Sequence, residues 1–470
     1  MDMQFFQTHR YKEEGAMNDI LLINAKYPDF AAQEIKFGNI AIKDGKIIYI
    51  GEGEPVAREV IDVEENIVSP GFIDIHMHEE DFVNEGYKYI ISNMMLSMGV
   101  TTAVGGNCGI QRQKISEFRH GISRLGGAPI NYIMLAGYNQ CRYKLGIESF
   151  ESASKYQNAK IRDMLAQEIK DGAFGVSFGI EYDPGISTDE IIKALNILTG
   201  PNMFSAAHYR ADNDGAIESI NEMIHISNCI DGKFQISHLS SCSAMGQMRE
   251  ALDIIHKAID LNPGLNYDTY PFNALSTHIG STVFYDGCLN AWHRDYCDIM
   301  LTEEPYKYQF CDKEIFHDAR KNYPNMLAVA FVMNEEEIEM TVSDSYGMIA
   351  SDAIINGGKG HPRAAGTFPR VLGKYVREDK KLSLIEALRK MTITPAERLG
   401  LSSKGIIREG ADADICIFDP NTVKDNAIYE DGSIPPSGIE YVLVNGKVAL
   451  RHGKIQDGNY GAFIPFRELC

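Results

Sequence analysis

The sequence predicts an α/β protein: a (β/α)8 TIM barrel with a small β-sandwich domain built from both ends of the chain. Three observations predict this architecture. Eight short apolar runs recur through the middle of the chain, helical segments lie between most of them, and β-hairpin patterns stand near the two ends. A chain of 470 residues is long enough for one large and one smaller domain.

The composition is that of an ordinary globular protein, with 44% hydrophobic and 23% charged residues. A net charge of −20 disfavours nucleic acid and anionic membranes as partners. We find no apolar run near the roughly 18 residues of a membrane span. Residues 1–16 are too polar for a signal peptide and are expected to form a disordered extension. Nine cysteines without regular spacing indicate a reduced, cytoplasmic protein.

Both ends of the chain are predicted to form β-hairpins. Residues 40–50 alternate in polarity and turn at Asp44-Gly45, a strong hairpin signal. Residues 441–450 repeat the pattern around Asn445-Gly446. The predicted domains are the β-sandwich, made of residues 17–68 and 408–470, and the barrel, made of residues 69–407.

The barrel is predicted from continuous apolar runs, which are typical of parallel strands covered on both faces. The eight runs lie at residues 72–76, 100–105, 131–137, 174–180, 203–208, 234–238, 265–270 and 346–352. Capping-box spacing predicts helices that begin after Ser187, with Glu190, and after Ser383, with Glu386. Thr394 is a further candidate cap.

One connection is too long for a simple loop. About 75 residues separate the seventh and eighth runs, and such a segment is usually a lid or a small subdomain. We therefore predict a lid-like insertion at about residues 281–340.

Metal-ligating side chain types follow five of the eight predicted strands. In a barrel of this kind, the C-terminal ends of the strands converge on one mouth. Imidazole, thiolate and carboxylate groups are all zinc ligands, so this convergence predicts a metal site. The candidates are His76 and His78 after the first strand, Cys108 after the second, His208 after the fifth, His238 after the sixth and Asp352 after the eighth.

The His76-Met77-His78 stretch places two imidazoles on the same face of a strand, where they can share one ion. Two surface histidines without a metal are the alternative for this short motif. Because His208 and His238 end later strands, the metal interpretation is favoured.

Cys108 lies in the glycine-rich stretch G-G-N-C-G. A buried structural thiol is the alternative, because free cysteine is common in protein cores. Glycines offer little to pack against, so a metal-bound thiolate, which could bridge two ions, is the better explanation.

Asp352 could be a helix cap or a turn residue. Its place after the last barrel strand, opposite the histidines, favours a general base and acid. Such a group takes the proton of a metal-bound water and passes it to the leaving nitrogen.

The motif P-G-F-I-D-I-H-M-H at residues 70–78 resembles the metal motif of the amidohydrolase superfamily. Residues 99–109 and 366–378 are similar to the D-aminoacylase (N-acyl-D-amino-acid deacylase) family, and the resemblance runs from residue 17 to about 455. It implies a zinc-dependent hydrolase that cleaves the amide bond of N-acyl-D-amino acids to a carboxylate and a free D-amino acid. A metal-bound hydroxide would attack the amide carbonyl, with Asp352 as general acid and base. The D configuration rests on this resemblance alone.

The resemblance also implies a role for each candidate residue. Cys108, His208 and His238 would hold one tightly bound zinc ion. His76 and His78, together with Cys108 and Asp352, would form a second, weaker position. Tyr270, Ser276 and Arg363, with a contribution from Tyr182, would bind the substrate carboxylate, and arginine suits such a group because it can make two parallel hydrogen bonds.

The chain departs from the family pattern at several positions. Leu239 and Ser240 stand where a histidine and a lysine are common, and the missing lysine favours a substrate with an uncharged side chain. The H-M-H motif is followed by Glu79-Glu80-Asp81, which are bulkier than the small or aspartate residues usual there. Phe272 and Leu275 replace a tyrosine and a glycine, which leaves the side-chain and acyl preference open.

Two other functions remain as alternatives. A cyclic amide hydrolase of the hydantoinase or dihydroorotase kind typically carries a modified lysine after strand four, where this chain reads G-V-S-F-G-I-E-Y. A non-catalytic zinc-binding protein would be expected to lack a ligand or Asp352, and all are present. The expected partner is a small N-acyl amino acid, with no nucleic acid or membrane, and the oligomeric state stays open. His278 and His361 are minor further candidates near the site.

Overall fold

The computed structural model describes residues 17–356 and 359–466, so the predicted extension at residues 1–16 lies outside the described residues. The β-strands are β1 (Asn18–Asp29), β2 (Glu34–Lys43), β3 (Lys46–Gly51), β4 (Ala57–Asp62), β5 (Ile67–Pro70), β6 (Phe72–Asp74), β7 (Val100–Gly105), β8 (Asn131–Met134), β9 (Ala136–Gly137), β10 (Val176–Gly179), β11 (Phe204–His208), β12 (Lys233–Ile236), β13 (Leu265–Thr269), β14 (Leu275–His278), β15 (Ile299–Leu301), β16 (Leu327–Ala330), β17 (Met348–Ile349), β18 (Ile355–Asn356), β19 (Lys359–Gly360), β20 (Ile415–Phe418), β21 (Ile439–Val444), β22 (Lys447–Arg451) and β23 (Lys454–Ile455).

The α-helices are α1 (Ile91–Ser97), α2 (Ile115–Arg124), α3 (Tyr138–Lys144), α4 (Lys155–Lys170), α5 (Thr188–Leu198), α6 (Ala216–Asn228), α7 (Leu239–Ser243), α8 (Met248–Leu261), α9 (Cys288–Ala291), α10 (Lys313–Asn322), α11 (Glu335–Ser343), α12 (Arg363–Arg370), α13 (Leu384–Met391) and α14 (Ile393–Leu399). A π-helical segment, Val371–Glu378, continues α12, and short 3₁₀ turns lie at Asn213–Gly215, Thr282–Phe284 and Tyr296–Asp298.

The predicted barrel is confirmed. Strands β6, β7 and β8 pair in parallel, and β9 to β13 continue the parallel order to β17. Only Leu135 separates β8 from β9, and its N–H donates to the carbonyl of Gly105 at 3.0 Å. The ring closes where the His78 N–H donates to the carbonyl of Ala353 at 2.9 Å and the Asp352 N–H donates to the carbonyl of His76 at 2.8 Å.

The eighth barrel strand is shorter than predicted, since β17 has two residues where the sequence suggests seven. The buried carboxylate of Asp74 takes the place of a backbone partner beyond β17. Its Oδ1 accepts the Ser351 N–H at 3.0 Å, and its Oδ2 accepts the Ser351 hydroxyl. A side chain of the first strand therefore fixes the last one just before Asp352.

Strands from both chain ends share one nine-stranded sheet, in the order β23-β22-β21-β20-β5-β1-β2-β3, with β4 paired to β1. Both predicted hairpins are present, β2–β3 turning at Asp44-Gly45 and β21–β22 turning at Asn445-Gly446. Hydrogen bonding joins these strands into one sheet. The division of this sheet into the two layers of a sandwich stays a prediction. The domain boundaries also stay a prediction.

The long connection between β13 and β17 forms a small subdomain. Its antiparallel sheet has the order β14-β16-β15, and α9 and α10 lie between its strands. The sheet begins at Leu275, before the predicted start at 281. Helix α11 packs against α7 and α8. The limits of the insertion, at about residues 281 and 340, stay a prediction.

Helix starts follow the sequence signals at two of three positions. The Ser187 and Ser383 side chains accept the N–H groups of Glu190 and Glu386. The predicted cap at Thr394 is wrong, because α14 follows directly on α13 and begins at Ile393. Within residues 17–356 and 359–466, no helix combines the length and the apolar character needed to cross a membrane.

Gly106, just after β7, generates a stability prediction. Its φ is +74°, and a Cβ built there would lie 2.1 Å from the carbonyl oxygen of Leu135. We expect Gly106→Ala to lower the free energy of unfolding by about 2–6 kcal/mol, from backbone strain and steric overlap together. Gly126→Ala is the control, because Gly126 has the same φ with no atom within 4 Å, and should cost about 1–2 kcal/mol. Urea unfolding measures both, and equal losses would contradict the packing argument.

Candidate metal centre

The structure brings all six predicted metal ligands together at the mouth of the barrel. They form two overlapping groups in which the donor atoms lie within 4.8 Å of one another. Every one of these residues is at most 8% exposed. The first group is His76, His78, Cys108 and Asp352, and the second is Cys108, His208 and His238.

Cys108 is shared by both groups. Its Sγ lies 3.3 Å from Nε2 of His76 and 3.4 Å from Nε2 of His238. The neighbouring glycines do not leave the thiol in open space. They are needed for close approach, because a Cβ at Gly109 would lie 1.8 Å from Oδ1 of Asn139. The thiol is enclosed by imidazoles instead of hydrocarbon side chains.

Three of the four imidazoles have a polar group beside the ring nitrogen that points away from the cluster. Oδ1 of Asp268 lies 3.3 Å from Nδ1 of His76. Oε2 of Glu181 lies 2.7 Å from Nε2 of His208, and the Ser241 hydroxyl lies 2.8 Å from Nδ1 of His238. The second nitrogen of each ring faces the cluster, as in metal sites where a carboxylate or hydroxyl fixes the tautomer of a ligating histidine.

The charges of the cluster favour a thiolate. Burial alone would raise the pKa of Cys108, but the nearby charges of His76 and His238 outweigh it and lower that pKa well below its usual range. Against the effect of its own burial, the pKa of His76 is raised by Cys108 and Asp268. A cation that binds here can replace the protons of this buried cluster, so the donor set fits a transition metal ion.

Asp352 connects the metal ligands to Arg363. Its Oδ1 lies 3.4 Å from Nε2 of His76 and 3.5 Å from Nε2 of His78, whereas its Oδ2 lies 3.0 Å from Nη2 of Arg363. Burial opposes ionisation, but Arg363 and the histidines lower the pKa of Asp352 far below its usual range. The carboxylate is therefore charged.

The predicted carboxylate-binding residues lie beside Asp352. Nη2 of Arg363 also donates to the carbonyl of Ser276 at 3.1 Å, and its guanidinium carbon lies 4.9 Å from the ring centre of Tyr270. Four buried atoms of this group have no hydrogen-bond partner: Nε and Nη1 of Arg363, the Tyr270 hydroxyl and the Ser276 hydroxyl. Unpaired buried donors are costly, so their clustering suits an anionic ligand.

Three further candidate residues, Tyr182, His361 and His278, lie around the metal-ligand cluster and the Arg363 group. The half-buried ring of Tyr182 packs 4.7 Å from that of His208. Nδ1 of His361 accepts the backbone N–H of Arg363 at 3.0 Å, so His361 supports Arg363 instead of pointing into the centre. Burial and the charges of Arg112 and His78 lower the pKa of His278 to about 4, which keeps its imidazole neutral.

A cavity of about 960 Å³ is lined in part by the segments that follow three of the site residues. Its wall includes Ile110, His278 and Ile354, each two residues beyond Cys108, Ser276 and Asp352. Acidic groups outnumber basic ones in the lining. The charged residues there are Asp81, Glu85, Glu303, Glu304, Arg112 and Lys359.

Sequence reasoning missed the residues that support the ligands. Glu79, which the family pattern marks as a departure, accepts the N–H groups of Gly106 and Arg112, each at 2.9 Å, and so brackets the loop that carries Cys108. Asp268 holds His76 and also accepts the His238 N–H at 2.8 Å. The available signal was an acidic side chain inside or directly after an apolar strand, where an unpaired charge would be costly.

Comparisons with known proteins find similar amidohydrolases. A family model described as "Amidohydrolase family" matches residues 347–450. An N-acyl-D-aspartate deacylase of Alcaligenes xylosoxydans xylosoxydans is 29% identical over 465 residues, covering 92% of each chain. A D-aminoacylase of the same organism is 27% identical over 465 residues, covering 91% of this chain and 93% of its own. The chain is thus similar along nearly its whole length to D-aminoacylases, and in residues 347–450 to the amidohydrolase family model.

Solved D-aminoacylase structures share the whole architecture. A D-aminoacylase crystal structure has a TM-score of 0.86 at 26% identity and covers 96% of this chain and 100% of its own. The N-acyl-D-glutamate deacylase from Bordetella bronchiseptica, complexed with zinc and a phosphonate inhibitor, has a TM-score of 0.85 at 25% identity with the same coverage. The L-hydantoinase from Arthrobacter aurescens, at 15% identity and a TM-score of 0.63, shares the fold alone.

Cys108 belongs to both groups of candidate ligands, and this generates a prediction about zinc binding. A metal that binds only the folded state at 1,000 times its Kd stabilises it by about 4 kcal/mol. We expect added zinc to raise the unfolding temperature of the metal-free native protein, and Cys108→Ala to remove most of that rise. Cys229→Ala, which changes an exposed thiol, should keep it. Calorimetric scans with and without zinc measure the rise, and a full zinc response in Cys108→Ala would contradict the assignment.

Proposed function

We propose that the protein is a zinc-dependent hydrolase that cleaves the amide bond of N-acyl-D-amino acids to a carboxylate and a free D-amino acid. One observation carries the proposal: the charged Asp352 contacts the metal-type histidines through one oxygen and Arg363 through the other. A proton acceptor thus lies between the predicted metal and the predicted carboxylate anchor. The deacylase relatives support this chemistry.

Cys108, His208 and His238 would hold the tightly bound zinc ion. His76 and His78, with Cys108 and Asp352, would form a second, weaker position. Zinc bound in such a site polarises the amide carbonyl and lowers the pKa of a water molecule.

Arg363, Tyr270 and Ser276 would bind the carboxylate of the substrate, with Tyr182 contributing from the His208 side. The unpaired donors of the first three residues provide the hydrogen bonds. Because Arg363 lies 3.0 Å from Asp352, a carboxylate held there places the neighbouring amide nitrogen close to the Asp352 oxygens. This fixed orientation reduces the entropic part of the barrier.

Asp352 would act first as base and then as acid. Its charged form takes a proton from the attacking water. The carboxyl group so formed then passes that proton to the leaving nitrogen. Burial of the whole cluster keeps other water away from this transfer.

The lining of the 960 Å³ cavity supports a preference for uncharged substrate side chains. An excess of carboxylates in its lining repels an acidic side chain. Ser240, at the position where a family lysine is common, is fully buried and contributes no positive charge. Relatives that act on N-acyl-D-aspartate and N-acyl-D-glutamate would differ from this chain in that preference.

Replacement of Asp352 tests the mechanism. Asp352→Asn keeps the size of the side chain but cannot accept the proton, so we expect kcat to fall by about 10²–10⁴-fold. The tight position, formed by Cys108, His208 and His238, should still retain zinc. Steady-state kinetics and metal analysis of the purified variant measure the two effects, and a kcat within ten-fold of the native value would contradict the role of Asp352.

A substrate panel tests the proposed reaction. The zinc-loaded protein should hydrolyse N-acetyl-D-amino acids with neutral side chains faster than their L-enantiomers and faster than N-acetyl-D-aspartate or N-acetyl-D-glutamate. Release of free amino acid measures turnover. Exclusive activity on dihydroorotate or a hydantoin would favour the cyclic amide alternative. Tight zinc without turnover of any amide would favour a non-catalytic protein.

A further inference from the structure

The insertion between β13 and β17 touches the segments that support the metal ligand His208. The Thr282 hydroxyl donates to the backbone carbonyl of Glu181 at 2.6 Å. The indole Nε1 of Trp292 donates to Oδ2 of Asp212 at 2.8 Å. The insertion therefore reaches two segments of the barrel mouth through two separate hydrogen bonds.

These two segments lie on either side of His208. Glu181 follows β10, and its Oε2 lies 2.7 Å from Nε2 of His208. Asp212 lies four residues beyond His208, in the segment that leads away from β11, and the ring of Tyr209 stacks 4.2 Å from that of His208. The insertion thus contacts both the carboxylate that orients His208 and the chain that continues from it.

The carboxyl groups and the indole are shielded from solvent, whereas Thr282 is half-buried. Trp292 is 3% exposed, Asp212 is 8% exposed and Glu181 is 7% exposed. The Trp292 ring packs edge-on against Phe284 of the insertion, with 5.9 Å between the ring centres. Asn213 adds a third link, because its side-chain amide donates to the carbonyl of Ala291. Hydrogen bonds in such a dry region hold their partners firmly.

We propose that Trp292 and Thr282 are positioning residues for the tight metal site, which the insertion completes by holding Glu181 and Asp212 around His208. The inference rests on the proposed zinc centre and goes beyond it, since it assigns metal retention to residues that are not ligands. Partners that orient a ligating histidine typically contribute 10–100-fold to metal affinity.

The nearness of the two carboxyl groups supports this role. Burial, together with the charge of Glu181, raises the pKa of Asp212 above its usual range. The indole N–H opposes that shift by donating to the Asp212 carboxyl group. Loss of the indole would leave a buried oxygen without its donor, and the segment that follows His208 would have to rearrange.

The experiment compares zinc release from full-length, zinc-loaded variants. Trp292→Phe keeps an aromatic ring but removes the N–H, and Thr282→Val removes the hydroxyl that binds Glu181. Thr302→Val is the matched control, because the Thr302 hydroxyl donates to the Leu327 carbonyl at 2.9 Å inside the same insertion. We expect zinc to transfer to a coloured chelator about 10-fold faster or more from the first two variants, and at a nearly native rate from the control.

Thr282→Val keeps the test decisive should Trp292→Phe fail to fold. Native release rates in the folded variants would overturn the inference. So would an equal acceleration in Thr302→Val, since that would reflect general loosening of the insertion. A native protein that takes up no zinc would overturn the proposed function together with this inference. A native protein that binds zinc, with variants that release it at the native rate, would overturn the inference alone.

Fluorescence gives a second readout that does not depend on catalysis. Trp292 is the single tryptophan of the chain, so emission excited at wavelengths where tyrosine does not absorb reports on this link. Zinc titration of the metal-free native protein should shift the emission of Trp292, and Asp212→Asn should reduce that shift. An emission spectrum that zinc leaves unchanged would count against a connection between the insertion and His208.

Discussion

The contact of the Cys108 sulfur with the imidazoles of His76 and His238 is the interaction on which the site depends. Several ionisable groups share a space from which water is excluded, and each would be costly to bury alone. Together they offset one another's charge, and a metal cation fits the same donor set. The barrel satisfies this constraint because its parallel strands end at one mouth, so ligands far apart in the chain meet there.

The backbone is strained where it delivers these ligands. Cys108, His238 and Asp352 all have positive φ, at 53°, 34° and 48°. Such conformations cost about 1–3 kcal/mol each and persist only where the surroundings hold them. Glu79 braces the Cys108 loop through two backbone N–H groups, and Asp268 accepts the N–H of His238. The buried acids around the centre thus serve to maintain its geometry.

The insertion serves both halves of the site. Its strand β14 carries Ser276, whose carbonyl accepts a hydrogen bond from Arg363 and whose hydroxyl is free for a ligand. A few residues later, Thr282 contacts the carbonyl of Glu181, behind His208. Asp352 joins the two halves, because it contacts Arg363 on one side and the metal-type histidines on the other. The predicted metal ligands, Asp352 and Arg363 are therefore connected through direct side-chain contacts.

The sequence by itself determined the barrel, the two terminal hairpins and the six candidate ligands, because strand periodicity, turn chemistry and donor side chains are local properties. Only the tertiary structure decided the roles of Glu79, Glu181 and Asp268, since an acidic residue acquires its partner through contacts between distant segments. It also decided where β17 ends, because the Asp74 side chain replaces a backbone partner there. Periodicity along a chain cannot reveal which buried charges will meet, since that depends on how the ring of strands closes.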